Sequence, residues 1–296
     1  MAQTGLGAPW VSRGTGRRFD APRLPLRRRF GNVAFRVSAA LGTAVVLAFL
    51  AALTVSLVEG SRPAWHWSVL TTTTQGTAGG LLNAILGTLW LAFWTLLFVV
   101  VAGVAAGTYL VEFAPSWFRE ATLFVSDIVA GIPSIVFGYV GYLLFVLAFG
   151  WGFSTLAAAL TLAMVVLPYM VRNSAQAVAK VPTSLREAAL ALGLSRVRTI
   201  WTVVWPEALS GLVTGMVLSV AVAMGETAPL LYTAEWSQQL PSLHLTHHSV
   251  GYLTYVVWTF VQEPYPEAIA LAYTAGLLLL VLIGGLAVLG RMRRRI

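Results

Sequence analysis

Apolar positions in this 296-residue chain gather into six long runs, at 37–58, 82–111, 121–149, 154–173, 208–234 and 265–290, parted by more polar connections. Each run is long enough to cross a hydrocarbon core of about 30 Å as a helix of about 20 residues. Membrane strands are shorter and alternate polar with apolar residues, so the pattern predicts helices. The expected fold is an all-α integral membrane protein with six transmembrane helices. Glycine and proline interrupt the third run at Gly131 and Pro133 and the fifth at Gly225 and Pro229. Inside a bilayer, such breaks are tolerated only where protein or a water-filled cavity satisfies the freed backbone groups. They therefore mark either a transport pathway or packing kinks. Gly103 and Gly107, spaced as G-x-x-x-G in the second run, instead predict a close helix crossing.

Composition agrees with lipid as the solvent: 58% of residues are hydrophobic, 10% are charged, and the mean hydropathy is +0.79. Eight arginines from Arg13 to Arg36 precede the first run, as in a signal peptide. That run, at about 22 residues, exceeds a signal peptide's usual core of about 7 to 15, and no clear cleavage site follows it, so it reads as a span. Residues 1–36 are expected to form a basic arm and 37–296 a single transmembrane domain. With six spans and a cytoplasmic N-terminus, 18 of the 19 Lys and Arg fall on the inside and only Arg62 outside. This bias predicts that both termini are cytoplasmic. The net charge of +8 then follows from topology and lipid-headgroup contact, not from nucleic-acid binding. The absence of cysteine excludes disulfides and thiolate metal sites.

Only one predicted cytoplasmic connection is long, at 174–207, and it contains "SLREAALALGLSRVRTIWTVVWP". Ser184 and Glu187 fit a capping box, Gly193 can end the helix in a left-handed conformation, and Ser195 can cap a second helix. Trp201 and Trp205 suit the membrane interface, and Pro206 opens the next span. A small Ala-rich helix held below a bilayer is shaped to enter a groove on another protein. The segment resembles the EAA loop of ABC importer permeases: Glu187-Ala188-Ala189, Gly193 and Pro206 stand in register, while Val203-Val204-Trp205 departs from the usual Ile and Leu. The resemblance implies that this loop docks on an ATP-hydrolysing partner and couples its motion to transport. The only lysine, Lys180, has no glycine-rich phosphate loop around it, so ATP hydrolysis is expected in another chain. Neither an enzyme activity nor a cofactor is expected of this one.

"AGIPSIVFGYVG" (130–141) and "GETAPLLYT" (225–233) resemble signatures of PstA and PstC, the permeases of phosphate-specific type I ABC importers. The likeness runs from about residue 80 to the C-terminus. It implies residence in the bacterial plasma membrane and partnership with a PstC-like second permease, PstB-like ATPase subunits and an external PstS-like phosphate-binding protein. Charges within spans cost at least about 2.5 kcal/mol at mid-membrane unless paired or hydrated, which directs attention to Glu226, Asp127 and Arg172. Glu226, beside Thr227, is a pathway candidate or a brace for the broken helix. Arg172 could meet the anion or anchor to headgroups, and Asp127 reads as a cap or an interhelical acceptor. The family commonly carries Arg four residues before the Glu of GETAPLL, where this chain has Val222. Other oxyanions, such as molybdate, tungstate or sulfate, therefore stay open. His244, His247 and His248 lie in the connection 235–264, where three histidines alone fall short of a four-ligand zinc site. A secondary transporter is the rival class, and it would call for an internal repeat and coupling-ion carboxylates.

Overall fold

The computed structural model describes residues 26–292, so the arm expected at 1–36 lies outside the described residues as far as residue 25. Two units are distinguished, one ending at Leu53 and the other starting at Thr54. In the first, helix α1 (Leu26–Ser61) begins well before the apolar run at 37, and every side chain from 34 to 53 is exposed. The described fold is otherwise the second unit. Past the end of α1, a short 3-10 turn at 62–64, helix α2 (Trp67–Thr71) and the strand pair β1 (Thr74–Gln75) and β2 (Ala78–Gly79) lead to α3 (Leu82–Glu112).

Helix α6 (Thr155–Ala179) is the central element. Of its most apolar stretch 56% is buried, against 28% for α3, so it packs on several sides at once. Its closest neighbour is α3. A Cβ built on Gly103 would meet the Met170 side chain at 2.6 Å, and one on Gly107 would meet Ser174 Cβ at 2.5 Å and the Ala175 amide nitrogen at 2.7 Å. The G-x-x-x-G pair thus serves backbone-to-backbone packing, as its spacing predicts. Val99, Val104, Val166, Met170, Val178, Val204 and Leu212 form the largest core cluster around this crossing.

The third apolar run divides into α4 (Ser116–Ala130) and α5 (Ser134–Gly141), with a bend of 92° at Gly131-Ile132-Pro133. Helix α5 continues in wider π-helical turns over 142–148. Counting this bent pair as one, six candidate spans are present among the described residues, and without it five. The fifth run also differs in its bounds. Helix α8 (Arg196–Thr199), a π-helical stretch at 200–204 and α9 (Trp205–Gly225) form one apolar helix that starts twelve residues before the predicted 208. It stops at Gly225, not at 234, because Glu226 turns to extended backbone at ψ 134° before α10 (Ala228–Thr233) begins. Helix α11 (Leu253–Phe260) buries Leu253, Val256 and Phe260 with residues of α12 (Pro266–Met292), while Trp258 stays exposed.

Candidate functional site: a docking loop and two broken helices

The connection after α6 folds as the two short helices its sequence predicts, with one correction at the first cap. Helix α7 (Thr183–Ala191) starts one residue ahead of Ser184, and the capping position belongs to Pro182. No side chain caps it, because the proline ring carries no hydrogen-bond acceptor, so the expected Ser184–Glu187 capping box is not formed. The other end agrees with expectation. Gly193 adopts φ +84°, its amide donates to Leu190 O at 3.0 Å and the Leu194 amide donates to Ala189 O at 3.2 Å. This is the pair of bonds that closes a helix through a left-handed residue. Ser195 caps α8, accepting from the Arg198 amide at 3.3 Å.

Of the motif residues, Ala189 is buried, whereas Glu187, Ala188 and Gly193 are exposed. Leu185, Leu190 and Leu192 are exposed beside them, Leu192 at 83%. The face carrying Glu187 and Ala188 is therefore open. The inward face is held by Arg186, a residue to which the sequence alone assigned no role. Its guanidinium donates through Nε to Glu112 Oε1 at 3.0 Å, through Nη1 to Val181 O at 2.5 Å and through Nη2 to Val178 O at 2.8 Å. Nη2 also lies 2.9 Å from Glu112 Oε1, and both side chains are largely buried. Further along, the Trp205 indole donates to Thr108 Oγ1 at 3.0 Å and its ring meets Trp201 edge-on at 4.1 Å. Glu112 closes a long apolar run as a lone acid, and that isolation was the one available signal of a partner.

The helices that follow the two breaks, α5 and α10, lie against each other. A Cβ on Gly138 of α5 would meet Pro229 Cα of α10 at 2.8 Å and Ala228 O at 3.2 Å, so only glycine lets α5 and α10 approach this closely. Gly131 and Pro133 flank the first break, Gly225 ends α9 at the second, and Pro229 is the second residue of α10. The side chains there have unequal partners. Arg172 on α6 forms an ion pair with Asp127 on α4, which makes Asp127 the interhelical acceptor and leaves Arg172 engaged. Just before it on α6, the Tyr169 hydroxyl lies 3.5 Å from Ala130 O, at the end of α4. The Glu226 carboxylate, by contrast, has no hydrogen bond or ion pair among the described residues, and its backbone oxygen accepts from Thr254 Oγ1 at 3.0 Å. Thr227 stands before α10 without a side-chain capping bond. Val222 packs against the apolar cluster of α3, α6 and α9, so the position where an arginine would face Glu226 supplies packing alone.

At the N-terminal end of α3, opposite Glu112, Asn83 ties three segments together. Its Oδ1 accepts from the amide and the hydroxyl of Thr74, each at 3.0 Å, and its Nδ2 donates to Ser237 O at 2.9 Å. Thr88 Oγ1 accepts from the Leu253 amide at 2.9 Å, and the Gly87 backbone touches Gly251 O closely enough to exclude a side chain. In the segment between α10 and α11, burial raises the Tyr252 phenol well above its ordinary pKa, with Tyr255 adding to the shift. The His244 and His248 rings stack at 5.6 Å.

Residues 100–291 match the family described as binding-protein-dependent transport system inner membrane component. A protein of Mycobacterium bovis named phosphate transport system permease protein PstA 2 is 45% identical over 84% of this chain and 83% of its own length. A Yersinia pestis protein named phosphate transport system permease protein PstA is 39% identical over 69% of this chain and 68% of its own. Among solved structures, a chain of a bacterial alginate ABC transporter superposes with a TM-score of 0.62 at 15% identity, covering 90% of this chain and 96% of that one. A chain of the MetNI methionine ABC transporter, in an inward-facing conformation, gives 0.60 at 21% identity over 73% and 94%. These two likenesses concern the fold.

Proposed function

We propose, from the premise that this chain belongs to the binding-protein-dependent transport system inner membrane components and within them to the phosphate transport system permease proteins, that it is a membrane-spanning subunit of an ATP-driven importer of inorganic phosphate. The observation that carries this reading is the pair of helix breaks, one at Gly131–Pro133 and one after Gly225, whose following helices α5 and α10 pack on each other, in a family of transport components. Broken helices at membrane depth need a cavity or protein around them, and here the helices that follow the breaks pack on each other through Gly138 and Pro229. A second, PstC-like permease would complete the pathway, PstB-like ATPase subunits would dock on α7, and a PstS-like protein would deliver phosphate from outside.

The exposed Glu187, Ala188 and neighbouring leucines support docking, because a helix with one open small-residue face fits a groove on a partner. Gly193 supports it by aiming the chain out of α7. The placement of 18 of 19 basic residues supports cytoplasmic termini and a cytoplasmic α7. In the pathway, Glu226 and Thr227 face the second break with hydrogen-bonding capacity to spare. A protonated phosphate can donate to a carboxylate, whereas sulfate has no proton to offer. Arg172 meets an anion only when Asp127 releases it, so the pair acts as a counter-charge held in reserve.

The test is reconstitution. The chain is assembled in vesicles with a homologous permease, ATPase and binding protein, and uptake of labelled phosphate is followed with and without ATP. ATP-dependent phosphate uptake is expected. Uptake that proceeds without the ATPase, or that accepts sulfate while refusing phosphate, would overturn the reading.

A further inference from the structure

We infer that Arg186 is the joint through which motion of the docking loop reaches the membrane helices, with Glu112 as its socket; this rests on the reading of α7 as the ATPase contact. Three elements converge on one guanidinium. Helix α3 ends in Glu112, α6 and the turn after it offer the carbonyls of Val178 and Val181, and α7 carries Arg186 itself. Val178 lies in the last turn of α6, where carbonyls carry partial negative charge, and its oxygen also accepts from the Val181 amide at 3.2 Å, while Val181 O lies in the turn before α7. A carboxylate beside them makes a site that one cation completes. Arginine suits it because its planar fork directs donors to several acceptors at once, whereas lysine offers a compact point charge.

Burial gives the joint stiffness. The side chains of Arg186 and Glu112 are only 17% and 15% exposed, so removing either would strand a mostly buried charge. A second grip lies nearby. Trp205, on the far limb of the loop, donates to Thr108, which precedes Glu112 by four residues and so shares its face of α3. Both limbs of the loop therefore hold one face of the last turns of α3. That helix runs on to Asn83, whose side chain fixes Thr74 and Ser237 at the opposite end. Displacing α7 carries α3 and the end of α6 with it, and the displacement arrives at the outer segments without crossing a flexible linker. Arg186 is in this sense a positioning residue for coupled transport, and its inward direction keeps it off the open docking face.

The experiment compares Arg186→Gln, Glu112→Gln, the double variant and Arg186→Lys in the assembled complex in vesicles. The readout is phosphate imported per ATP hydrolysed, at matched abundance of the complex. Each glutamine variant is expected to lower this ratio about fivefold or more, the lower range of coupling between linked sites, while ATP hydrolysis continues. The double variant is expected to lose no more than the worse single one, because both remove the same joint. Arg186→Lys is expected to fall between the native chain and Arg186→Gln. Should Arg186→Gln fail to assemble, Glu112→Gln decides, since it lies outside the loop and keeps the side chain's shape. An unchanged ratio in Glu112→Gln, or additive losses in the double variant, would overturn the joint while leaving the importer reading intact. A native complex with no ATP-dependent uptake would instead overturn that reading, and the joint with it.

Discussion

At the docking end, all three nitrogens of Arg186 are engaged by a carboxylate and two carbonyls; at the α9–α10 break, the Glu226 carboxylate has no partner among the described residues. The glycines repeat the contrast. Gly107 is wedged against the α6 backbone, whereas a Cβ on Gly225 would meet nothing within 4 Å. At one region the buried Arg186 spends its donors on internal bonds beside a tightly packed Gly107. At the other, Glu226 and Gly225 are left open, although Gly138 nearby is wedged against Pro229. Saturated bonding suits the force transmission proposed for the first region, and spare capacity suits the binding and release of an ion proposed for the second.

Four substitutions test how far this contrast holds. Gly107→Val should have the largest effect, because the added atoms meet backbone of α6 that cannot yield. Overpacking of this kind costs typically about 1 to 3 kcal/mol, and membrane abundance on a blot of fractionated cells should collapse. Next comes Gly193→Val. A β-branched residue at φ +84° bears a left-handed penalty of about 1 to 2 kcal/mol and re-aims α7, so the protein should reach the membrane while ATP hydrolysis and uptake separate. Normal coupled transport by that variant would detach α7 from the ATPase. Glu226→Gln should leave assembly intact and shift the competition between sulfate and phosphate for uptake. An unchanged ratio would move Glu226 out of the selectivity argument. The smallest effect belongs to Gly225→Ala, expected within about 0.5 kcal/mol in thermal stability of the detergent-solubilised complex. A large loss there would mean that the open space beside Gly225 is filled by something that tolerates no methyl group.

Much of this architecture is legible in the residues themselves. Apolar runs locate the membrane helices, and Gly131-Ile132-Pro133 locates a break, since Pro133 has no amide proton to give the ladder and Gly131, two residues before it, weakens the last turn. The size of the bend at that break is not legible, because it depends on α5 meeting α10 across Gly138. Gly193 announces its own conformation, whereas Ser184 misleads. Its capping pattern is sound, but Pro182 turns the chain first and takes the position. Arg186 and Glu112 lie 74 residues apart, and no local rule pairs them. Val222 illustrates the reverse case, where comparison with a family pattern flags a missing arginine and the structure shows an ordinary packing residue in its place.

The length of α3 has a consequence beyond packing. Its 31 residues extend about 46 Å at 1.5 Å per residue, well past a hydrocarbon core of about 30 Å. A helix that overshoots its bilayer leans or thickens the lipid around it, and the accommodation varies with membrane thickness. Because Asn83 and Glu112 are bonded at opposite ends of this one rod, any change of lean displaces the two ends in opposite directions. Acyl-chain length is thereby expected to change where Asn83 and Glu112 stand relative to the bilayer surfaces.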